Sequence, residues 1–210
     1  MSKKSQWQNN LEQIFLIDNG AYEIKFSTAH PKSQIRRMQN AKFIERNFNY
    51  ENKFFIEEID SYGINNISNI KNNFTRPLKR GLLYNIDTQI EIWEDALKKL
   101  SNNDKYKDNM LIFTHTPFCP DKVIETYLEV IFEYFNFDSC IKSLPHLFTS
   151  IYSQKLFPDI NQNLQLVIDS GFSSTTIVPI FNSMPIYNGI KRVDIGGKLL
   201  TNFLKESVMN

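Results

Sequence analysis

The chain has 210 residues, with 24 basic and 23 acidic side chains and a net charge of +1, so no strong field directs it to nucleic acid or to an anionic membrane surface. Hydrophobic residues make up 41% of it, enough for a sizeable core in one large domain or two small ones. The two cysteines, Cys119 and Cys140, form no CxxC pair, which argues against a disulfide framework or a zinc site and for a reducing compartment.

Residues 1–10 are polar and lack the apolar stretch of a signal peptide, and no apolar run approaches the ~20 residues that span a bilayer. Residues 14–18 form a short apolar run ending in Asp18-Asn19-Gly20, and Asn-Gly is the strongest short hairpin signal. Over residues 22–28, Tyr22, Ile24 and Phe26 alternate with Glu23, Lys25 and Ser27, so the opening unit is predicted as strand, tight turn, strand. Another strand is expected at 53–57. Arg76-Pro77 and Gly81 punctuate a loop, and three basic residues within 76–80 read as a solvated segment. Ile86, Ile90, Trp93, Leu97 and Leu100 recur at helical spacing and predict an amphipathic helix over 87–100, with Trp93 in the core.

Residues 110–116 read as a strand closed by Pro117, and Pro120 stands where a first helical turn tolerates proline. Val123, Ile124, Tyr127, Leu128, Ile131 and Phe135 mark the face of a long helix; a less regular one is expected over 147–157. A strand at 164–169 runs into Asp169-Ser170-Gly171 and returns over 174–180, and a helix over 198–205 is entered through Gly196-Gly197. Asn-rich segments at 65–73 and 101–109 read as surface loops.

The same device therefore occurs twice: an apolar strand, Asp-x-Gly, and a returning strand, ~150 residues apart. In such a turn glycine lets backbone N–H groups approach a phosphate, and the strand-end Asp suits Mg²⁺. Two such turns facing each other would clamp one nucleotide; the competing reading is two ordinary hairpins that use Asp and Gly for turn geometry. His30, His115 and His146 have no metal-ligand spacing. Cys119 precedes a helix, a position that lowers a thiol pKa, but no base stands beside it, and an inert thiol is expected. Gly196-Gly197-Lys198 lacks the spacing of a Walker loop.

Ile17-Asp18-Asn19-Gly20 followed by Lys25 resembles the first phosphate loop of the actin superfamily. Val167-Ile168-Asp169-Ser170-Gly171, with Thr175 and Val178-Pro179, resembles the second. Between them, the segment from Gly81 to Trp93, Thr114-His115-Thr116-Pro117 and Phe132-Glu133-Tyr134-Phe135-Asn136 resemble family segments in the same order. Ala21-Tyr22, and Gly196-Gly197-Lys198-Leu199-Leu200-Thr201-Asn202 with Leu204-Lys205-Glu206, are similar to the nuclear actin-related protein 6 class.

The resemblance implies an α/β fold of the actin-like ATPase (ribonuclease H-like) kind. A first domain is expected over 1–160 with a small inserted subdomain at about 35–75, and the start of a second over 161–210. It implies ATP or ADP with Mg held by Asp18, Asn19, Gly20, Ala21, Tyr22 and Lys25 from one loop and by Asp169, Ser170, Gly171, Phe172 and Ser173 from the other. Asp18 and Asp169 would lie at the metal, and Lys25 would contact phosphate. The family's fold is longer than 210 residues, so most of the second domain and the adenosine-binding segment are expected to be missing and ATP affinity to be weak.

Departures from the family pattern bear on catalysis. Ala21 replaces a hydroxyl residue, a loss of ~0.5–1.5 kcal/mol per hydrogen bond. Tyr22 replaces a glycine, and Phe172 and Ser173 replace Asp-Gly. Around 144–148 there is no glutamine to orient water; His146 is the nearest polar substitute. Hydrolysis is therefore expected to be poor or absent, no residue is assigned as catalytic, and a bound nucleotide would be a structural wedge. The class implies a nuclear subunit of a remodeller that exchanges a core histone for its variant. It would contact other subunits and, through them, nucleosomes, with no sequence-specific nucleic-acid binding and no membrane association. The cytoplasm is a second location. The alternatives are an ATPase or phosphotransferase of the same wider fold and a cytoskeletal actin-like protein.

Overall fold

The computed structural model describes residues 13–47, 50–55, 74–101, 106–158 and 163–209. The polar segment 1–10, the whole Asn-rich stretch 65–73, part of the stretch 101–109 and residues 56–73 of the small inserted subdomain lie outside them.

In chain order the strands are β1 (Ile14–Asn19), β2 (Glu23–Thr28), β3 (Arg36–Gln39), β4 (Lys42–Asn47), β5 (Tyr50–Phe55), β6 (Phe74–Thr75), β7 (Leu78–Lys79), β8 (Leu82–Leu83), β9 (Met110–Thr114), β10 (Ser139–Ser143), β11 (Leu164–Ser170), β12 (Thr175–Phe181), β13 (Met184–Pro185) and β14 (Lys191–Val193). The helices are α1 (Ile86–Leu100), α2 (Asp121–Glu129), α3 (Pro145–Leu156) and α4 (Gly197–Met209). A π-helical turn, Val130–Tyr134, prolongs α2.

The first sheet has the order β10-β9-β1-β2-β3. β1 and β2 form the expected antiparallel hairpin, with Asp18 opposite Lys25. β9 runs parallel to β1, with Ile17 opposite Phe113, and β10 runs parallel to β9. This parallel pairing requires a crossover, which α2 supplies. The second sheet pairs β11 with β12 along seven residues, from Leu164 opposite Phe181 to Ser170 opposite Thr175; β13 and β14 join β12. The two Asp-x-Gly turns thus cap the ends of two separate hairpins.

Two apolar clusters carry the fold. The larger takes alternate residues of the central strands (Phe15, Ile17, Ile24, Phe26, Leu111, Phe113) and closes them with Trp93, Leu97, Tyr127 and Ile131 from the helices. Burying side chains of this size contributes about 1.5–3 kcal/mol each. Trp93 is in the core as expected, stacked on Tyr127 with ring centroids 5.5 Å apart. α1 starts where the Asn85 side chain accepts a hydrogen bond from the Thr88 N–H at 3.0 Å, a cap worth about 1 kcal/mol. The second cluster is smaller: Leu144, Val178, Ile180 and Ile190, with Leu147 and Val167 against it. β11 and α4 leave Leu164, Leu166, Ile168, Phe203 and Leu204 exposed.

Several expectations shift in detail. α3 begins at Pro145, because proline suits the first helical position. Pro120 instead lies just outside α2 with extended backbone. α4 continues to Met209, and the sequence reading contains no counterpart of β10.

Candidate functional site

The first turn is tight. The Gly20 N–H donates to the Asp18 carbonyl at 3.1 Å, and a Cβ on Gly20 would lie 2.5 Å from the Glu23 carbonyl oxygen. That close approach explains the glycine. Asp18 accepts a hydrogen bond from Thr114 Oγ1 at 2.6 Å through Oδ1, while Lys25 Nζ stands 3.4 Å from Oδ2. Asn19 is the anchor of the turn. Its side-chain amide donates to Tyr127 Oη at 3.1 Å and Gln89 Oε1 at 3.4 Å, and its Oδ1 accepts from Trp93 Nε1 at 3.2 Å. Asn40, fully buried, donates to the Gly20 carbonyl at 2.9 Å. The turn therefore inherits its position from β9, α1 and α2.

The second turn is fixed from the other side. The Gly171 N–H donates to the Ser174 carbonyl at 3.0 Å, Ser170 Oγ and Thr175 Oγ1 lie 3.1 Å apart, and Thr175 Oγ1 donates to the Ile195 carbonyl at 2.8 Å. α4 begins on this turn. The Gly197 N–H reaches the Gly171 carbonyl at 2.9 Å and the Lys198 N–H the Phe172 carbonyl at 3.0 Å. A Cβ on Gly196 would sit 2.6–2.7 Å from the backbone of Phe172, Gly171 and Ser174. Gly196-Gly197 thus serves close packing on the second turn.

The two turns meet at their tips. The rings of Tyr22 and Phe172 lie 5.1 Å apart at 47°. The Arg76 guanidinium covers both, 5.0 Å from the Tyr22 centroid and 5.1 Å from that of Phe172. Its Nη1 donates to the carbonyls of Tyr22 at 3.0 Å, Asn40 at 3.3 Å and Ala21 at 3.4 Å. Arg76 is therefore half-buried and engaged, where the sequence reading placed a solvated loop. The correction has a physical cause: carbonyls and π faces from three segments converge on it. A second bridge is Arg192 on β14, which donates to the Arg80 carbonyl and, at 3.4 Å, to Thr116 Oγ1. Arg80 and Gly81 make that turn with φ of 52° and 73°, a left-handed geometry that suits Gly81.

Asp18, Asn19, Gly20, Ala21, Tyr22 and Lys25 are thus gathered at one tip, and Asp169, Ser170, Gly171, Phe172 and Ser173 at the other. The contacts described do not join the carboxylates of Asp18 and Asp169; Asp169 is exposed. His146 is not directed into solvent. It is 1% exposed, and its Nε2 lies 2.8 Å from Thr176 Oγ1. Burial lowers its pKa, partly offset by the charge of Asp169 and the bond to Thr176. Burial raises the pKa of the Cys119 thiol, against the opposing charges of Lys142 and Arg192. Burial likewise lowers His115.

A family model described as Actin matches residues 11–210. The chain belongs to the actin family. Among curated actin-family relatives, Actin-like protein ARP6 of Cryptococcus neoformans is 32% identical over 198 residues, 93% of this chain and 39% of the relative. Actin-related protein 6 of Dictyostelium discoideum is 30% identical over 224 residues, 95% of this chain and 43% of the relative. Actin-related protein 6 of Arabidopsis thaliana is 36% identical over 136 residues, covering 63% and 32%. The chain spans about two-fifths of the length of these relatives. The mixed α/β architecture agrees with the first part of an actin fold, as the sequence led one to expect.

The actin fold implies a nucleotide with Mg²⁺ between the turns, and the donor set can be tested against it. The N–H groups of Gly20 and Gly171 are spent inside their own hairpins, and Lys25 is paired with Asp18. The rings of Tyr22 and Phe172 close the space between the two turns, 5.1 Å apart. Among the described residues, no group of three or more His, Cys, Asp or Glu side chains gathers as for a metal. In this conformation the tips do not fit a triphosphate.

Proposed function

We propose that this chain is the actin-fold part of a non-catalytic subunit of a nuclear chromatin-remodelling complex of the histone-variant-exchange type. The class rests on its similarity to proteins named actin-related protein 6. The absence of catalysis is supported chiefly by one observation, the contact of Tyr22 with Phe172 between the two turns. Between the two turns this chain sets two aromatic rings and a guanidinium, none of which can activate water. His146, the nearest candidate to orient water, is occupied by Thr176.

Partners are other remodeller subunits and, through them, nucleosomes; the near-zero net charge gives no field for direct DNA binding. Among the described residues no helix is long and apolar enough to cross a membrane. Two measurements test the reading. Phosphate release with Mg-ATP should stay at background; steady turnover would favour the ATPase alternative. Tagged chain expressed in its own cells should co-purify from nuclear extract with subunits of a histone-exchange remodeller, identified by mass spectrometry. Recovery without them would remove the assembly from the proposal.

A further inference from the structure

We propose that Tyr22, Arg76 and Phe172 form an internal pin that holds the two halves of the molecule closed without a nucleotide. The pin is independent of the assembly the protein joins; it rests on contacts within this chain.

Each half supplies a different component. Tyr22 extends from the first turn and Phe172 from the second, and Arg76 comes from the segment between β6 and β7. Arg76 is held by the first half, because its Nη1 bonds to the carbonyls of Ala21, Tyr22 and Asn40, all in that half. Its guanidinium then presents a flat cationic face on which Phe172 lands, 5.1 Å from the ring centroid. Tyr22 completes the triangle, 5.0 Å from Arg76 and 5.1 Å from Phe172. Phe74 lies 5.8 Å from the same guanidinium and widens the apolar side of the site.

The chemistry of the pin opposes that of a phosphate clamp. A clamp is an open cleft that is closed by an anion and its metal, so its two lips are held by the ligand. Here the lips touch directly. Arg76, the cation at this contact, is covered by π faces and spends its Nη1 on carbonyls, so it is not presented to an anion. Burial beneath the rings lowers its pKa from the ordinary arginine value, against the opposing charge of Tyr22. Cation–π and aromatic pairs of this kind gain strength when desolvated.

The test is a double-mutant cycle on the full 210-residue chain. Tyr22→Leu and Phe172→Leu, singly and together, leave an apolar side chain at each tip outside both core clusters, and remove the ring–ring and ring–guanidinium contacts. Unfolding equilibrium constants are measured with and without Mg-ATP. The pin predicts a coupling of about 2- to 10-fold between the two sites, unchanged by Mg-ATP. Coupling indistinguishable from one without nucleotide would overturn it. So would coupling that vanishes when Mg-ATP is added, because a bound nucleotide would then have parted the rings. Direct titration of the unmutated chain with a fluorescent ATP analogue adds a second readout that does not depend on any variant folding. Tight saturable binding would overturn the pin.

Discussion

His146 Nε2 lies 2.8 Å from Thr176 Oγ1, and this bond ties the first turn of α3 to the start of β12, next to the strand's contribution to the smaller core. Burial keeps the imidazole neutral in the folded chain and its pKa below the ordinary histidine value; burial lowers His115 as well. The unfolded chain therefore takes up these protons at a higher pH than the folded one. Stability contributed by the neutral rings is complete above about pH 6.5 and falls as the pH drops below it, until the folded groups protonate in turn. Urea unfolding between pH 8 and pH 5 should show that fall. His146→Gln should reduce its size and leave the part due to His115.

Asn19 holds the first turn through Trp93, Tyr127 and Gln89. Asn19→Leu would strand the Trp93 N–H and the Tyr127 hydroxyl in the core. A cost of about 2–4 kcal/mol is expected from two or more unsatisfied buried groups, measured as the free energy of urea unfolding. Thr176→Val, which strips one hydroxyl from His146, should cost less, about 1–2 kcal/mol.

Gly196 and Gly171 make a matched pair of tests. A Cβ at Gly196 meets three backbone atoms at 2.6–2.7 Å, whereas one at Gly171 meets only the Ser174 carbonyl oxygen at 3.5 Å. Gly196→Ala should lower stability by about 1–3 kcal/mol, because backbone cannot move aside as a side chain can. Gly171→Ala should change it by less than about 1 kcal/mol. Thermal melts of the two variants side by side decide the point.

Burial raises the Cys119 thiol above its ordinary pKa and pushes that of Cys140 up to about 11, in each case against the opposing charge of Lys142. Both thiols are therefore almost wholly protonated at neutral pH and poor nucleophiles. Iodoacetamide at pH 7.5 should alkylate both thiols more slowly in the native chain than in 6 M urea, with a roughly tenfold gap or more at Cys140 by the thiolate fraction alone. Equal rates in the two states would contradict this burial.

How far the sequence could be read depends on how local the cause was. The two Asp-x-Gly hairpins are legible because Asn-Gly and Ser-Gly turns impose their geometry on a few neighbouring residues. α1 is legible from the spacing of Ile86, Ile90, Trp93 and Leu97, and the structure places it almost where the spacing does. β10 is not legible, since Ser139–Ser143 has little apolar character and owes its conformation to parallel pairing with β9. Arg76 shows the same limit at the candidate site. A single arginine before a proline carries no signal in sequence; its role exists only once Tyr22, Asn40 and Phe172, far apart along the chain, come round it. Tyr22 and Phe172 were conspicuous as bulky replacements, but only the fold brings them to each other.

The attachment of α4 to the second turn has a mechanical consequence. Two of the helix's first backbone amides are bonded to Gly171 and Phe172, and Gly196 admits the turn's backbone with nothing between. Helix and loop tip must then travel as one rigid lever, with its short arm in the cleft and its long arm ending at Met209. A tilt of a few degrees at the tip grows along thirteen residues into a displacement of about an ångström at Met209. Whatever rests against that outer face would register the posture of the cleft from a distance.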